Sequence, residues 1–255
     1  PPAVTALASQ AQAAYPELGA NLFAETGIDV ELERCGLLFL DAPDSRDALA
    51  WCRQQACPGE PLDAFALQAR WPGLPLDAAQ GLFLPTLAHV RNPRLLKALL
   101  AALRQNPRAS LREQAEVVAI TPARNGTAGV SLASGEQIAA DAVVVCGGAW
   151  SGRLLAAAGS SLPVRPIRGQ MQLYRLAPGS VPTMILRDGH YLIPRRDGHV
   201  LCGSTLEDAG FDKSLTDAGH ERLRRAAARL WPALAGLEPV QEWAGLRPGA
   251  GAAAL

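Results

Sequence analysis

The residues whose types and spacing best suit chemistry lie between 142 and 158. There an apolar run, Ala142-Val143-Val144-Val145-Cys146, meets Gly147-Gly148-Ala149-Trp150-Ser151-Gly152 and then Leu154-Leu155-Ala156-Ala157-Ala158. A strand, a glycine turn and a helix in that order present backbone N–H groups and a helix dipole to a phosphate. As a dinucleotide fingerprint the segment is degenerate: Ala149 stands at the middle glycine, and no acidic residue follows about 20 positions later. The alternative is that these glycines only let a helix pack closely on a sheet. Metal and nucleophile chemistry have less to stand on. The five cysteines (35, 52, 57, 146 and 202) form no Cys-x-x-Cys pair, and the four histidines (89, 190, 199 and 220) are scattered. Neither His-Glu-x-x-His nor Gly-x-Ser-x-Gly occurs, so no metal site and no serine nucleophile are expected. An odd, widely spaced set of cysteines fits a reducing cytoplasm.

The chain that must position these residues has 255 residues, 49% of them hydrophobic, enough to bury a core. Lys+Arg and Asp+Glu both total 24, a formal net charge of +0, which argues against nucleic acid as a partner. No apolar run approaches the roughly 18 to 20 residues of a membrane span, and Pro1-Pro2-Ala3-Val4 does not open a signal peptide, so a soluble chain is expected.

Val4, Leu7, Ala8, Ala11, Tyr15, Leu18 and Leu22 fall at steps of three and four. They predict an amphipathic helix over 3–26, ended by Gly27 and split or kinked at Pro16. Short strands are expected at 28–31 and 36–40, and a helix capped by Asp44 or Ser45 up to Gln55. Pro and Gly through 58–88 predict irregular connection. Asn92-Pro93 is a cap and first-turn pair for a helix to Gln105, with Leu95, Leu96, Leu99, Leu100 and Leu103 on its apolar face. Runs 116–121, 129–133 and 137–146, separated by Asn125-Gly126 and Ser134-Gly135, predict an antiparallel meander. Its last part, 142–146, reads as a core strand covered on both faces. Strands follow over 164–205 with turns at Asp188-Gly189 and Asp197-Gly198, then a helix capped by Thr216 that ends before Trp231-Pro232. Apart from Ala252-Ala253-Ala254 no low-complexity tract is seen.

Four segments then stand in a specific order. They are 140–151, Val164-Arg165-Pro166-Ile167-Arg168-Gly169-Gln170, the pair His190-Tyr191-Leu192-Ile193-Pro194-Arg195 and Gly203-Ser204-Thr205, and Trp243-Ala244-Gly245-Leu246-Arg247-Pro248-Gly249. In this order they resemble the FAD-dependent amino-acid oxidases of the D-amino-acid oxidase superfamily, the glycine oxidase branch most of all. The resemblance runs from the helix near Tyr15 to Arg247. The family opens with a strand and Gly-x-Gly-x-x-Gly that hold the FAD pyrophosphate, and it continues past the arginine into a flavin-covering strand and glycine-rich helix start. Neither is in this sequence, so the expectation is the middle of a longer protein that binds FAD poorly by itself.

The resemblance implies an α/β (mixed α+β) fold in which an FAD/NAD(P)-binding-type domain (1–27, 91–160 and 241–255) interleaves with an antiparallel-sheet substrate domain (28–90 and 161–240). It implies FAD as cofactor and oxidative deamination of glycine or a small D-amino acid to the 2-oxo acid, ammonia and hydrogen peroxide, with oxygen as acceptor. A place in thiamine (thiazole) biosynthesis and a homo-oligomeric state are compatible with it. It places Arg247 on the substrate carboxylate, where a planar guanidinium can pair with both oxygens. Tyr191 would donate to the same carboxylate, and Leu206 would wall the pocket, a core leucine being the alternative. Val117, Gly147, Gly148, Trp150 and Gly169 would line FAD, with Val118 not separable from Val117. His190, one residue from Tyr191, faces the other way on a strand and reads as structural. No residue is assigned as catalytic, because the cofactor carries the hard chemistry. A D-amino-acid dehydrogenase, a sarcosine-oxidase-like enzyme and a non-catalytic α+β binding or oligomerisation module remain the alternatives.

Overall fold

The structure, a computed structural model, describes residues 2–41, 45–55, 57–124 and 127–250. Its helices are α1 (Pro2–Thr26), α2 (Ser45–Gln54), α3 (Ala64–Arg70), α4 (Asn92–Gln105), α5 (Ser151–Ala157) and α6 (Asp217–Leu230). Its strands are β1 (Leu37–Leu40), β2 (Glu60–Asp63), β3 (Gln80–Leu84), β4 (Val117–Arg124), β5 (Thr127–Leu132), β6 (Gln137–Ala140), β7 (Val164–Arg175), β8 (Met184–Arg187), β9 (His190–Pro194), β10 (His199–Gly203) and β11 (Gln241–Ala250). Among the described residues no helix is long and apolar enough to cross a membrane.

The chain forms two compact units. Unit 1 holds Pro1–Leu111, Tyr174–Leu201 and Ala226–Glu238; unit 2 holds Arg112–Leu173, Cys202–Arg225 and Pro239–Leu255. In unit 1 the strands lie in the order β10-β9-β8-β1-β3-β2. β1 runs parallel to β8 and antiparallel to β3. Inward residues of these strands and of α3 make the core: Leu38, Leu67, Ile185 and Leu192 have no exposed surface, and Leu40 has 1%. Trp71 and Phe83 meet edge to face at 5.1 Å beside them. A smaller cluster of Leu22, Val30 and Ala98 joins α1 to α4.

In unit 2 a meander, β4-β5-β6, stands apart from the strand order β11-β7-β10. The α6 face of β7 is polar and buried: Gln170 and Gln172 have 2% and 0% exposure. Buried amides are stable only when bonded. Gln170 donates to Thr216 Oγ1 at 2.9 Å and accepts from the Thr216 N–H at 2.9 Å. Gln172 donates to the His220 carbonyl at 3.0 Å and to Glu242 Oε1 at 2.8 Å.

Locally encoded elements form where the spacing predicts them. α6 is capped by Thr216, whose hydroxyl accepts from the Gly219 N–H at 3.1 Å. The Asp188-Gly189 and Asp197-Gly198 turns put their glycines at φ +74° and +86°. The meander is antiparallel throughout. The expected Asn125-Gly126 turn, the Asp44 cap and the 252–254 tract lie outside the described residues.

Other expectations are corrected. α1 runs through Pro16 without a break, because the proline sits on the exposed side, where water can serve the carbonyl it leaves free. Its stripe is not a buried face: Val4 is 61% exposed and Leu7 68%, with only Leu22 in the core. Residues 28–31 form no strand, Glu31 taking φ +52°. The N-cap of α4 is Arg91 rather than Asn92, with no side-chain cap bond, and its buried residue is Ala98 rather than the leucines. The stretch 58–88 is not irregular: Asp63 accepts from the Ala66 N–H at 2.8 Å and starts α3 between β2 and β3. Residues 142–146 are not a core strand. No strand pairs with them among the described residues, and Val144 is 83% exposed. Apolar composition makes a buried strand only where ladder partners exist.

Candidate functional site

The site is built on the antiparallel pair β7 and β11 in unit 2. Gly245 lies opposite Gly169 and Arg247 opposite Ile167, successive pairs on one face of the sheet. The two glycines leave that one pair without side chains, between the Ile167–Arg247 pair and the rest of the face. A Cβ at 169 would stand 2.5 Å from the Arg247 guanidinium nitrogens, so the guanidinium lies flat over the strand only because residue 169 is glycine. A Cβ at 245 would meet nothing within 4 Å.

Arg247 is half-buried and held by uncharged acceptors. Its Nη2 donates to Ser204 Oγ at 2.6 Å and its Nη1 to the Thr205 carbonyl at 3.3 Å. Among the described residues it has no carboxylate partner. A guanidinium stays charged and matches the two oxygens of a carboxylate. What this arrangement can do is bind a small carboxylate beside an open, side-chain-free floor.

The expected site residues distribute unevenly. Val117, Gly147, Gly148, Trp150, Gly169, Leu206 and Arg247 all belong to unit 2. Gly169 and Arg247 touch, Leu206 follows the Ser204-Thr205 pair that holds Arg247, and the 3₁₀ turn Gly148–Trp150 packs against β11. Gly148 takes φ +53°, and a Cβ there would meet nothing within 4 Å. Trp150 is 43% exposed and its ring lies 5.3 Å from Phe211. Val117 is half-buried opposite Leu132, whereas Val118 is exposed and has no core role. Leu206, half-exposed, is not a core leucine. Tyr191 lies in unit 1, half-buried on β9 opposite Leu186. Next to it, the His190 Nδ1 lies 3.0 Å from the Asp188 carbonyl.

Sequence reasoning missed the residues behind Arg247. Ser204 and Thr205 stood in a recognised motif without a role, and Arg168, Gln170 and Glu207 were not singled out. Thr205 is 1% exposed, and its Oγ1 accepts from the Gln170 backbone N–H at 2.9 Å. Glu207 receives Arg168 Nε at 2.6 Å and Gln170 Nε2 at 2.8 Å. Burial pushes the Glu207 carboxyl up, but hydrogen bonds from Thr205, Arg168 and Gln170 outweigh it and hold it below the usual range.

The cations of unit 1 differ. Arg187 contacts Asp41 at 2.7 Å and Asp77 at 3.1 Å. Arg91 contacts Glu31 at 3.1 Å and Asp197 at 2.9 Å, and Arg196 bridges Asp29 and Glu33. Burial pushes the Asp197 carboxyl up, yet the His199 backbone, the His199 ring and Arg91 hold it well below the usual carboxylate range. His89 is buried, and its Nδ1 accepts from Arg195 Nη1 at 3.0 Å. Its Nε2 has no hydrogen-bond partner among the described residues, Glu33 Oε2 being 4.0 Å away. Burial first and the Arg195 charge second push the imidazole down to about 4, against the weaker pull of Glu33. Cys202 is buried enough to be pushed up to about 12, which leaves it a thiol without nucleophilic character.

The fold is of the mixed α/β type found in flavin-dependent oxidases. It matches the crystal structure of glycine oxidase from Geobacillus kaustophilus with a TM-score of 0.89 and 30% identity, over 98% of this chain and 68% of that one. The chain belongs to the FAD dependent oxidoreductase family, whose profile matches residues 1–254. It is 46% identical over 248 residues to a glycine oxidase of Pseudomonas aeruginosa, covering 97% of this chain and 68% of the relative. It is 32% identical to the bifunctional protein ThiO/ThiG of Trichormus variabilis, over 96% of this chain and 38% of that protein. Membership sets the enzyme over the non-catalytic module, with FAD as its cofactor. The site fits that group: at Gly245 a side chain would fill the open floor beside Arg247 that a planar ring requires.

Proposed function

We propose that the chain serves oxidative deamination of glycine or a small D-amino acid to the 2-oxo acid, ammonia and hydrogen peroxide. The carrying observation is Arg247, a half-buried cation with neutral acceptors only among the described residues, set beside the Gly169–Gly245 floor. Its similarity to glycine oxidases supports the substrate. In this reading Arg247 holds the substrate carboxylate, Tyr191 donates to it and Leu206 limits pocket size. Val117, Gly147, Gly148, Trp150 and Gly169 line FAD. Residues 1–27, 91–160 and 241–255 form the FAD-binding part, and 28–90 and 161–240 the substrate part, a functional division that cuts the chain elsewhere than the two compact units do. The flavin, when bound, supplies the hydride acceptor. The chain's own task is therefore orientation: Arg247 fixes one end of the amino acid so that Cα meets the open floor, and no acid–base pair is required. Oxygen as final acceptor, a cytoplasmic setting, a homo-oligomeric state and a place in thiamine biosynthesis complete the proposal.

Replacement of Arg247 by Met in the flavin-loaded enzyme is the test. The Michaelis constant for glycine should rise about a hundredfold or more. An unchanged value would end the assignment.

A further inference from the structure

The polar cluster behind Arg247 is too ordered to be only a buried remainder. Residues 204–207 are laid along β7 by backbone bonds, with the Arg168 N–H to the Glu207 carbonyl at 2.9 Å and the Glu207 N–H to the Arg168 carbonyl at 3.0 Å. Side chains tie the same strap down. The Thr205 hydroxyl accepts from the Gln170 backbone N–H, and its influence helps hold the Glu207 carboxyl below the usual range. Glu207 is in turn clamped by Arg168 and Gln170, and Arg168 is fixed by Asp212 at 2.8 Å and the Ser214 carbonyl at 3.2 Å. The front of the strap is what Arg247 touches: the Ser204 hydroxyl and the Thr205 carbonyl.

We propose that Thr205, held by Glu207, Arg168 and Gln170, is the positioning residue of Arg247 and so sets how tightly the site holds its substrate carboxylate. The inference rests on the reading of Arg247 as the carboxylate-binding cation. Three features carry it. Thr205 bonds Arg247 with its carbonyl and the buried cluster with its hydroxyl, so it joins the two. Both oxygens of Glu207 are engaged, by Arg168 Nε and Gln170 Nε2, so its charge is spent behind the strap and Arg247 keeps its own for a ligand. Gly169 leaves no Cβ under the guanidinium, so the strap and the strand together define its place. A valine at 205 has the shape of threonine but its side chain neither donates nor accepts; it would leave the buried Gln170 N–H without its acceptor and loosen the strap. Serine keeps the hydroxyl.

The experiment compares Thr205→Val, Thr205→Ser and Arg247→Met in the flavin-loaded enzyme. It measures KM and kcat for glycine, FAD affinity, thermal midpoint, and the dissociation constant of sodium glycolate, a carboxylate without an amine, from the change in flavin absorbance. Thr205→Val should raise KM and the glycolate constant together by about tenfold, with kcat within about threefold of the parent and FAD affinity unchanged. Thr205→Ser should restore both to within about threefold. The proposal is overturned if Thr205→Val binds glycolate like the parent, or if Thr205→Ser is as impaired as the valine variant, since packing alone would then explain the site. Should Thr205→Val fail to fold, the serine variant and Glu207→Gln carry the decision: the first must bind glycolate like the parent, and the second must weaken it about threefold or more. If Arg247→Met itself leaves the glycolate constant unchanged, the underlying reading of Arg247 fails; if Arg247→Met weakens binding and Thr205→Val does not, only the positioning role fails.

Discussion

Three arginines of unit 1 and Arg247 of unit 2 are held in contrasting ways, while Arg195 of unit 1 shares the neutral setting, with His89 Nδ1 at 3.0 Å and the Val90 carbonyl at 3.3 Å. In unit 1, Arg187, Arg91 and Arg196 each meet two carboxylates, so their charge is consumed by the fold. In unit 2, Arg168 follows the same rule with Glu207 and Asp212, while Arg247 rests on a hydroxyl and a carbonyl. Taking a guanidinium out of water is unfavourable unless something compensates it. Two carboxylates complete that compensation. Two neutral oxygens fix the direction of the side chain and leave its charge for a ligand. Position beside glycine together with lack of an acid, rather than burial alone, separates Arg247, the proposed binding cation, from these structural ones.

The sharpest way to break this contrast is the pair Arg247→Met and Arg187→Met. The first should raise KM for glycine about a hundredfold, equivalent to about 3 kcal/mol, with little change in the urea midpoint. The second should do the reverse. It strands Asp41 and Asp77 and should cost about 2 kcal/mol of stability, discounted because Asp77 is mostly exposed, while KM stays put. A loss of substrate affinity in the Arg187 variant equal to that of the Arg247 variant would dissolve the distinction.

His89 extends the comparison to pH. Its folded pKa, about 4, lies below the unfolded value of 6.5, so the folded state resists a proton that the unfolded state accepts. Stability is therefore unaffected above about pH 6.5, falls as pH drops toward 4, and is level below that. Between pH 7 and 5 the loss attributable to His89 should be about 2 kcal/mol, read as a shift in urea midpoint that His89→Gln abolishes. An equal pH slope in the variant would show that other groups set it.

Gly169→Ala gives the smallest effect and the most local one. The atoms a methyl would meet are the far end of a flexible side chain, so Arg247 should move rather than the strand. KM should rise about tenfold with a thermal midpoint close to the parent's. A collapse in stability with normal KM in the surviving protein would mean that the glycine serves the sheet instead.

Legibility in the sequence followed the range of the forces involved. α4 rests on a first-turn proline, α6 on the Thr216 cap and the turns at 188–189 and 197–198 on their glycines, all within a few residues, so they could be read directly. The β2–α3–β3 segment was missed although Asp63 signals a cap, because prolines and glycines around it hid the period. The run 142–146 misled for the opposite reason: its composition promised a core strand, and burial depends on partners that composition cannot name. Arg247 and Gly169 were legible as residue types in a recognisable order. Thr205, Glu207 and Arg168 were not, since their value lies in bonds spanning 35 residues or more.

By itself, then, the sequence determined the mixed α/β pattern, the local caps and turns, and the ordered motifs that placed the chain among FAD-dependent amino-acid oxidases. Tertiary structure alone decided which arginine keeps its charge free, why a side chain at residue 169 would displace it, and what holds the cation in place. The physical reason is that whether a guanidinium is neutralised depends on which acids the pairing of β7 and β11 and the strap at 204–207 bring within about 4 Å, a relation between distant residues that no local spacing records.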